Sequence, residues 1–172
     1  NSSIGFASGT DNRLHKTVNS GTNWLDFGTG LSVSNVNTLF FVDSSIGYAG
    51  TSDPRLAKTT NGGLTWADVG EISGTIMDVY FFDIDHGWAV GGTDILTYKN
   101  GIWTQQNNTT GFSLYSVFFL NQSEGWIVGN GGTILHSTDG GENWSVQQSG
   151  TTATLRDVFF TSSTNGYAVG NS

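Results

Sequence analysis

The sequence predicts an all-β fold, a β-propeller of four-stranded antiparallel blades with about four repeats. Three observations carry that expectation. Tryptophans recur at Trp24, Trp66, Trp103 and Trp144, spaced 42, 37 and 41 residues apart. A glycine–aromatic–aliphatic triplet keeps step with them, as Gly5-Phe6-Ala7, Gly47-Tyr48-Ala49, Gly87-Trp88-Ala89, Gly125-Trp126-Ile127 and Gly166-Tyr167-Ala168. A pair of aromatics does the same at Phe40-Phe41, Tyr80-Phe81, Phe118-Phe119 and Phe159-Phe160. Between these anchors lie short runs of β-branched and aromatic residues split by Gly, Asn, Asp and Ser, with no amphipathic stretch of helical length.

Each period divides into four strands. Strand A, Leu155 to Phe160 in the last copy, is apolar on both faces, with Val158 and Phe160 on one side and Leu155 and Phe159 alternating to the other. That suits a sheet packed between two neighbours rather than one half exposed to water. Strand B runs from Gly166 to Gly170, strand C from Thr133 to Ser137, and strand D from Asn143 to about Gln148. An Asp/Asn-Gly turn joins C to D. On this frame residues 1–34 form a partial blade, 35–70, 71–111 and 112–150 whole blades, and 151–172 a second partial one. The first period lacks a strand A and the last has only A and B, so a segment of a larger propeller is expected, with the remaining blades in the same or another chain. A closed four-bladed ring is the alternative.

Composition narrows the function classes. The 22 aromatics among 172 residues supply a sizeable core and exclude a disordered acidic chain. Six basic against fourteen acidic residues give a net charge of −8, which disfavours nucleic acid and anionic membranes as partners. With no cysteine there is neither a disulfide framework nor a thiolate metal site. No apolar run approaches the roughly 18 residues of a membrane-spanning helix.

The turn between strands C and D is the most regular motif. Its copies are Thr17, Asn19, Gly21 and Trp24; Thr59, Asn61, Gly63 and Trp66; a shortened Asn100 and Trp103; and Ser137, Asp139, Gly141 and Trp144. A carboxylate or amide at Asp139, Asn61 or Asn19 can accept hydrogen bonds from turn amides, glycine supplies positive φ, and the tryptophan packs across the hairpin base. Repetition in every blade favours this structural role over a calcium or sugar site. Ser137-x-Asp139-x-Gly141-x-x-Trp144 resembles the Asp-box, or bacterial neuraminidase repeat. The longer pattern Asp157-Val158-Phe159-Phe160 followed by Gly166-Tyr167-Ala168-Val169-Gly170 resembles the photosystem II stability/assembly factor-like propellers. The resemblance spans the chain. It implies a propeller with strand A innermost, while leaving activity open, because Asp-boxes occur in sialidases, receptors and secreted bacterial proteins alike.

Candidate binding residues follow from that placement. Two residues before each strand-A aliphatic stand Asn37, Met77, Tyr115 and Arg156, variable positions in a regular frame that are expected to line one mouth of a central channel. Arg13 and Arg55 share the first position of strand C and form either a small anion-binding pair or two solvated charges. With Arg156 elsewhere in the repeat, the three arginines do not encode the cluster a sialidase uses for its substrate carboxylate. Asp83-Ile84-Asp85-His86 lacks the further oxygens of a calcium loop and reads as a polar turn. No catalytic residue, metal or cofactor is expected. The reading is a non-enzymatic, secreted or cell-surface bacterial module for protein or glycan binding or scaffolding. The alternatives are part of a sialidase-like glycoside hydrolase, or a photosystem II assembly-factor-like chaperone.

Overall fold

The computed structural model describes residues 3–28, 30–71 and 74–171; residues 1, 2, 29, 72, 73 and 172, which fall in the first, third and last of the expected units, lie outside the described residues. The chain forms five antiparallel sheets in sequence order. The first holds β1 (Gly5–Ser8), β2 (Arg13–Thr17) and β3 (Leu25–Gly28). The second holds β4 (Val36–Phe41), β5 (Gly47–Thr51), β6 (Arg55–Thr59) and β7 (Ala67–Glu71). The third holds β8 (Asp78–Phe81), β9 (His86–Gly91), β10 (Asp94–Lys99) and β11 (Ile102–Asn107). The fourth holds β12 (Leu114–Phe119), β13 (Gly125–Gly129), β14 (Ile134–Ser137) and β15 (Ser145–Gln147), and the last β16 (Leu155–Ser162) and β17 (Asn165–Gly170). A 3-10 turn at Asn130–Gly132 is the one helical element among the described residues.

Within each sheet the strands are laddered in chain order, so in the three four-stranded sheets strand A is one edge and strand D the other. The A strands β4, β8, β12 and β16 lie against one another in succession, which makes them the inner edges of blades around a common axis. β16 pairs with β17 and not with β1. The last strand A therefore does not complete the first sheet, and the alternative of a closed four-bladed ring is not formed.

One aromatic interlock, repeated at every junction, explains the sequence anchors. The aromatic of strand B stacks face to face on the second aromatic of the next blade's strand A. Phe6 lies on Phe41, Tyr48 on Phe81, Trp88 on Phe119 and Trp126 on Phe160, with centroids 3.5, 4.1, 3.4 and 3.5 Å apart. The turn tryptophan of the same blade meets that ring edge-on, as Trp66 against Phe41, Trp103 against Phe81 and Trp144 against Phe119, at 5.9, 5.8 and 5.8 Å. The glycine of the triplet leaves room for the ring: a Cβ at Gly87 or Gly125 would lie 2.4 or 2.5 Å from Phe81 or Phe119. Aliphatic residues fill the rest of each junction. Trp88, Val90 and Ile95, for example, pack with Leu114, Val117, Phe119, Ile127 and Leu135 of the next blade. Burial of these side chains at roughly 25 cal/mol per Å² is what holds the blades together.

Two local features depart from the sequence reading. Strand D begins later than expected, at Ser145 rather than Asn143, because the Asn143 amide is bonded to Asp139 within the turn. Strand A also does not alternate simply. A β-bulge between Leu155 and Asp157 inserts one residue, so that Leu155, Val158 and Phe160 all pack towards Trp126 and Val128 while Phe159 stays exposed.

Candidate functional site

Antiparallel order gives the blades two distinct ends. The A–B and C–D turns share one end, tied by Gly62 N–H to Ser45 O and Gly140 N–H to Ser123 O, both 2.8 Å. The starts of the A strands and the B–C and D–A connections share the other.

At the first end the C–D turns are closed networks. Ser137 Oγ accepts from the amides of Gly141 and Asp139, at 2.9 and 3.3 Å, and donates to Asp139 Oδ1 at 2.8 Å. Asp139 Oδ1 then accepts from the Asn143 amide at 2.9 Å. Thr59 and Asn61 repeat the arrangement with Gly63 and Thr65, and Thr17 and Asn19 with Gly21 and Asn23. Gly141 has φ 84°, which a side chain rarely adopts. Trp66 and Trp144 donate their indole N–H to the carbonyls of Gly63 and Gly141 at 3.1 Å. Around Asn100 the network is replaced by a two-residue turn with φ 48° at Asn100 and 91° at Gly101, between Lys99 and Ile102. Hydrogen bonds from the Asn143 side chain and amide hold the Asp139 carboxyl down at about 2. These oxygens are occupied by turn donors.

Two further sets of polar groups, one at that end and one on the outer strands, are likewise paired. Asp83 Oδ1 accepts from the amides of Asp85 and His86 and lies 2.8 Å from His86 Nδ1, while Oδ2 accepts from Gln122. Arg13 donates to Asp26 at 3.0 Å and Arg55 to Asp68 at 3.1 Å, each across its own sheet.

At the second end lie the four variable positions. Asn37, Tyr115 and Arg156 are each the inserted residue of a β-bulge, where the ladder shifts between Val36 and Thr38, Leu114 and Ser116, and Leu155 and Asp157. Met77 stands in the same place just ahead of β8, its amide on Val90 O at 2.8 Å. A bulge frees its residue from the pleat and re-aims the side chain. Two of these residues meet: the Arg156 guanidinium sits 4.4 Å over the Tyr115 ring, a cation–π contact between neighbouring blades. Asn37 instead donates to Ile76 O of the next blade at 3.0 Å. An open cleft of about 710 Å³ lies at the same end, with Thr110, Phe112, Gly131, Thr133, Gln148 and Thr151 among its walls.

Immediately beside the bulges runs a feature that the sequence reading passed over. The next residue of each strand A is Thr38, Asp78, Ser116 and Asp157, alternately hydroxyl and carboxylate, and these form a belt from blade to blade. Asp78 Oδ1 accepts from Thr38 Oγ1 at 3.2 Å and from the Val79 amide at 2.9 Å. Its Oδ2 accepts from Ser116 Oγ at 3.1 Å and from the Val117 amide at 3.0 Å. Asp157 Oδ1 repeats the first half, taking Ser116 Oγ at 3.0 Å and the Val158 amide at 2.9 Å. Burial between three blades pushes the Asp78 carboxyl up to about 6, against the opposing pull of its donors, chiefly the Val117 amide and Ser116. Ser116 has one proton for two carboxylates, an arrangement completed when Asp78 carries the proton. The alternation was visible in the sequence, but only the inter-blade geometry gives it meaning.

Comparison with known proteins follows the same lines. The family model described as "Photosynthesis system II assembly factor YCF48" matches residues 65–149 and 98–172. A "Photosystem II assembly lipoprotein Ycf48" of Synechococcus sp. (strain CC9902) is 39% identical over 74 residues, which are 39% of this chain and 22% of that protein. Among solved structures, YCF48 from Cyanidioschyzon merolae superposes with a TM-score of 0.70 at 18% identity, over 94% of this chain and 59% of that one. The GH74 enzyme of Niastella koreensis gives 0.72 at 21% identity, over 87% of this chain and 28% of that one. At these identities the two structures show the fold alone. The family match overturns the expectation of an extracellular or cell-surface bacterial protein, since both the family and the Synechococcus relative are photosystem II assembly factors.

Proposed function

Because the chain belongs to the family described as Photosynthesis system II assembly factor YCF48, we propose that it is a non-enzymatic propeller module that binds a polypeptide in the assembly of photosystem II. The observation that carries this reading is the family match together with the placement of the variable residues. Asn37, Met77, Tyr115 and Arg156 occupy bulged or equivalent positions at one end of adjoining inner strands. Tyrosine and arginine are two of the three residue types enriched among the energetic hot spots of protein interfaces. Arg13 and Arg55, neutralised by Asp26 and Asp68, are secondary contacts in this scheme.

The non-enzymatic part of the proposal rests on the carboxylates. Asp78 and Asp157, bridged by Ser116, also accept from backbone amides, so this carboxylate pair serves the blades rather than a bond held between them. The units 1–34, 35–70, 71–111, 112–150 and 151–172 are proposed as consecutive blade repeats of one propeller segment.

The test is an affinity measurement against purified photosystem II core subunits and peptides tiled over them. The chain should bind at least one, and the Tyr115→Ala, Arg156→Ala double variant should lose tenfold or more of that affinity, roughly 1.4 kcal/mol or above, with an unchanged melting temperature. Undiminished binding by the double variant would refute the site. Glycoside turnover that survives repurification would refute the non-enzymatic reading.

A further inference from the structure

The third blade departs from its neighbours at one repeated position. In each of the first four sheets one residue of the third strand lies directly opposite the strand-B aromatic: Lys16 opposite Phe6, Lys58 opposite Tyr48, Thr97 opposite Trp88 and His136 opposite Trp126. All but Thr97 are basic, and each of these lies against its ring. The ammonium groups of Lys16 and Lys58 stand 5.1 and 5.3 Å from the Phe6 and Tyr48 centroids, and His136 stacks on Trp126 at 4.7 Å. Lys16 also reaches the next blade's turn, donating to Gly62 O at 3.0 Å. Thr97 is too short for such contacts. In its junction there is a pocket of about 290 Å³ between the outer strands and the following turn, lined by Thr97, Lys99, Thr104, Gln106, Gly141 and Glu142. Thr97 is 8% exposed, and its hydroxyl has no hydrogen-bond partner, which is unfavourable in the free chain. Lys99 spans the mouth to Glu142, Nζ to Oε1 2.6 Å, with the two side chains 42 and 64% exposed.

We propose that this pocket binds a primary alkylammonium group, the end of a lysine side chain or of a small diamine. Its walls are made of acceptors. Gln106 directs its side-chain N–H to Gly141 O at 2.6 Å, which leaves its Oε1 as an acceptor. Thr104 Oγ1 makes no hydrogen bond among the described residues, and Glu142 keeps one carboxylate oxygen beyond its contact with Lys99. An ammonium has three N–H donors and no acceptor, so it matches such a set. A carboxylate ligand would face the same oxygens on a chain of net charge −8. The flanking turns add to that field: Asp139 stands in the turn with Glu142, and Asp85 bonds through its carbonyl to the Asn100 amide beside Lys99. The volume lies at the lower edge of the roughly 300–1,000 Å³ that encloses a whole small molecule, which suits the end of an extended chain. Lys99 is then the chain's own occupant, an ammonium already on Glu142. An exposed ion pair is worth little, so Lys99 exchanges readily with the ligand and turns to water. Rotation of Thr97 about χ1 gives its hydroxyl the partner it lacks. The inference is separate from the polypeptide site, which lies at the opposite end of the blades.

The experiment titrates the isotope-labelled full chain and follows its amide chemical shifts. The probes are cadaverine and a capped glycine–lysine–glycine peptide, with the same peptide acetylated on its lysine as the control. Both ammonium probes are expected to move the amides of Thr97, Thr104, Gly141 and Glu142, and the acetylated peptide to leave them in place. The tighter of the two ammonium probes identifies the source of the group, a free diamine or a protein lysine. Glu142→Gln should weaken binding at least about tenfold. Lys99→Met, which keeps the stem and removes the competing charge, should strengthen it about threefold or more. Thr97→Val preserves the shape and removes the unpaired hydroxyl, so it should weaken binding while the melting temperature of the free chain holds or rises; a packing role alone would not split the two. The Tyr115→Ala, Arg156→Ala double variant should bind the ammonium probes as the unaltered chain does, which keeps this site distinct from the polypeptide site. Unmoved amides with both ammonium probes at about 10 mM, equal binding of the acetylated peptide, or full affinity in Glu142→Gln would overturn the proposal. So would loss of binding in Lys99→Met, the mark of an anion site.

Discussion

Replacing Phe119 with alanine should be among the most damaging single changes in the molecule. Its ring is 0% exposed, stacked at 3.4 Å on Trp88 of the preceding blade and met edge-on by Trp144 at 5.8 Å. Deleting a buried phenylalanine costs roughly 3–5 kcal/mol through lost transfer energy and the cavity left behind. Because the stacked and the edge-on ring pair disappear together, this site falls towards the upper end of that range. The cavity cannot close easily, since the Gly125 backbone and both tryptophans are fixed by their own ladders and hydrogen bonds. Against a total stability of roughly 5–15 kcal/mol for a domain, the loss should shift the urea midpoint severely or leave the junction open. Equilibrium unfolding followed by tryptophan fluorescence reads it directly. Phe159→Ala is the internal control: it sits in the same aromatic pair one blade on, but its ring is 54% exposed, and about 1 kcal/mol or less is expected. A cost below roughly 2 kcal/mol for Phe119→Ala, or an equal cost for both variants, would refute the interlock as the source of blade cohesion.

Gly125→Ala should cost roughly 1–3 kcal/mol in the same assay, because the new Cβ would stand 2.5 Å from a Phe119 ring that is pinned on both sides. Asp78 has a folded-state pKa raised to about 6, so its contribution to stability is full below the unfolded value near 3.9 and is lost as pH rises through about 6; the change amounts to roughly 3 kcal/mol. Asp78→Asn should flatten that part of the stability–pH curve, and a slope that persists would contradict the assignment. Asp139 behaves in the opposite sense: with its pKa lowered to about 2 by Asn143, its contribution is present above the ordinary carboxylate value and fades as pH falls towards 2. Asp139→Ala should cost about 1 kcal/mol as a turn-bonding change, while millimolar calcium should leave the melting temperature of the unaltered chain where it was; a calcium-dependent rise would reveal a metal site in the turn.

The fold was legible because the repeat writes the same interlock several times. Gly-aromatic-aliphatic, the paired aromatics and the turn tryptophan are the three partners of one junction, and their spacing survives even where the turn shrinks to Asn100-Gly101. The variable positions Asn37, Met77, Tyr115 and Arg156 were equally visible as variation inside that frame. Their bulged backbone was not, since a bulge leaves no period in a sequence and here breaks the alternation that placed Leu155 opposite Val158. The belt was missed for a different reason. Thr38, Asp78, Ser116 and Asp157 look like ordinary polar residues until adjacent inner strands bring a hydroxyl onto each carboxylate. Pairing across blades, rather than along them, also decides Arg156, which lies over Tyr115 although it stands a full repeat further along the chain.

Hydrogen exchange of the purified chain, with and without a bound photosystem II subunit, tests most directly which end of the blades does the binding. Added protection is expected at the starts of the inner strands, around Asn37, Met77, Tyr115 and Arg156, and none in the turns around Asn19, Asn61 and Asp139. Protection confined to those turns would contradict this expectation.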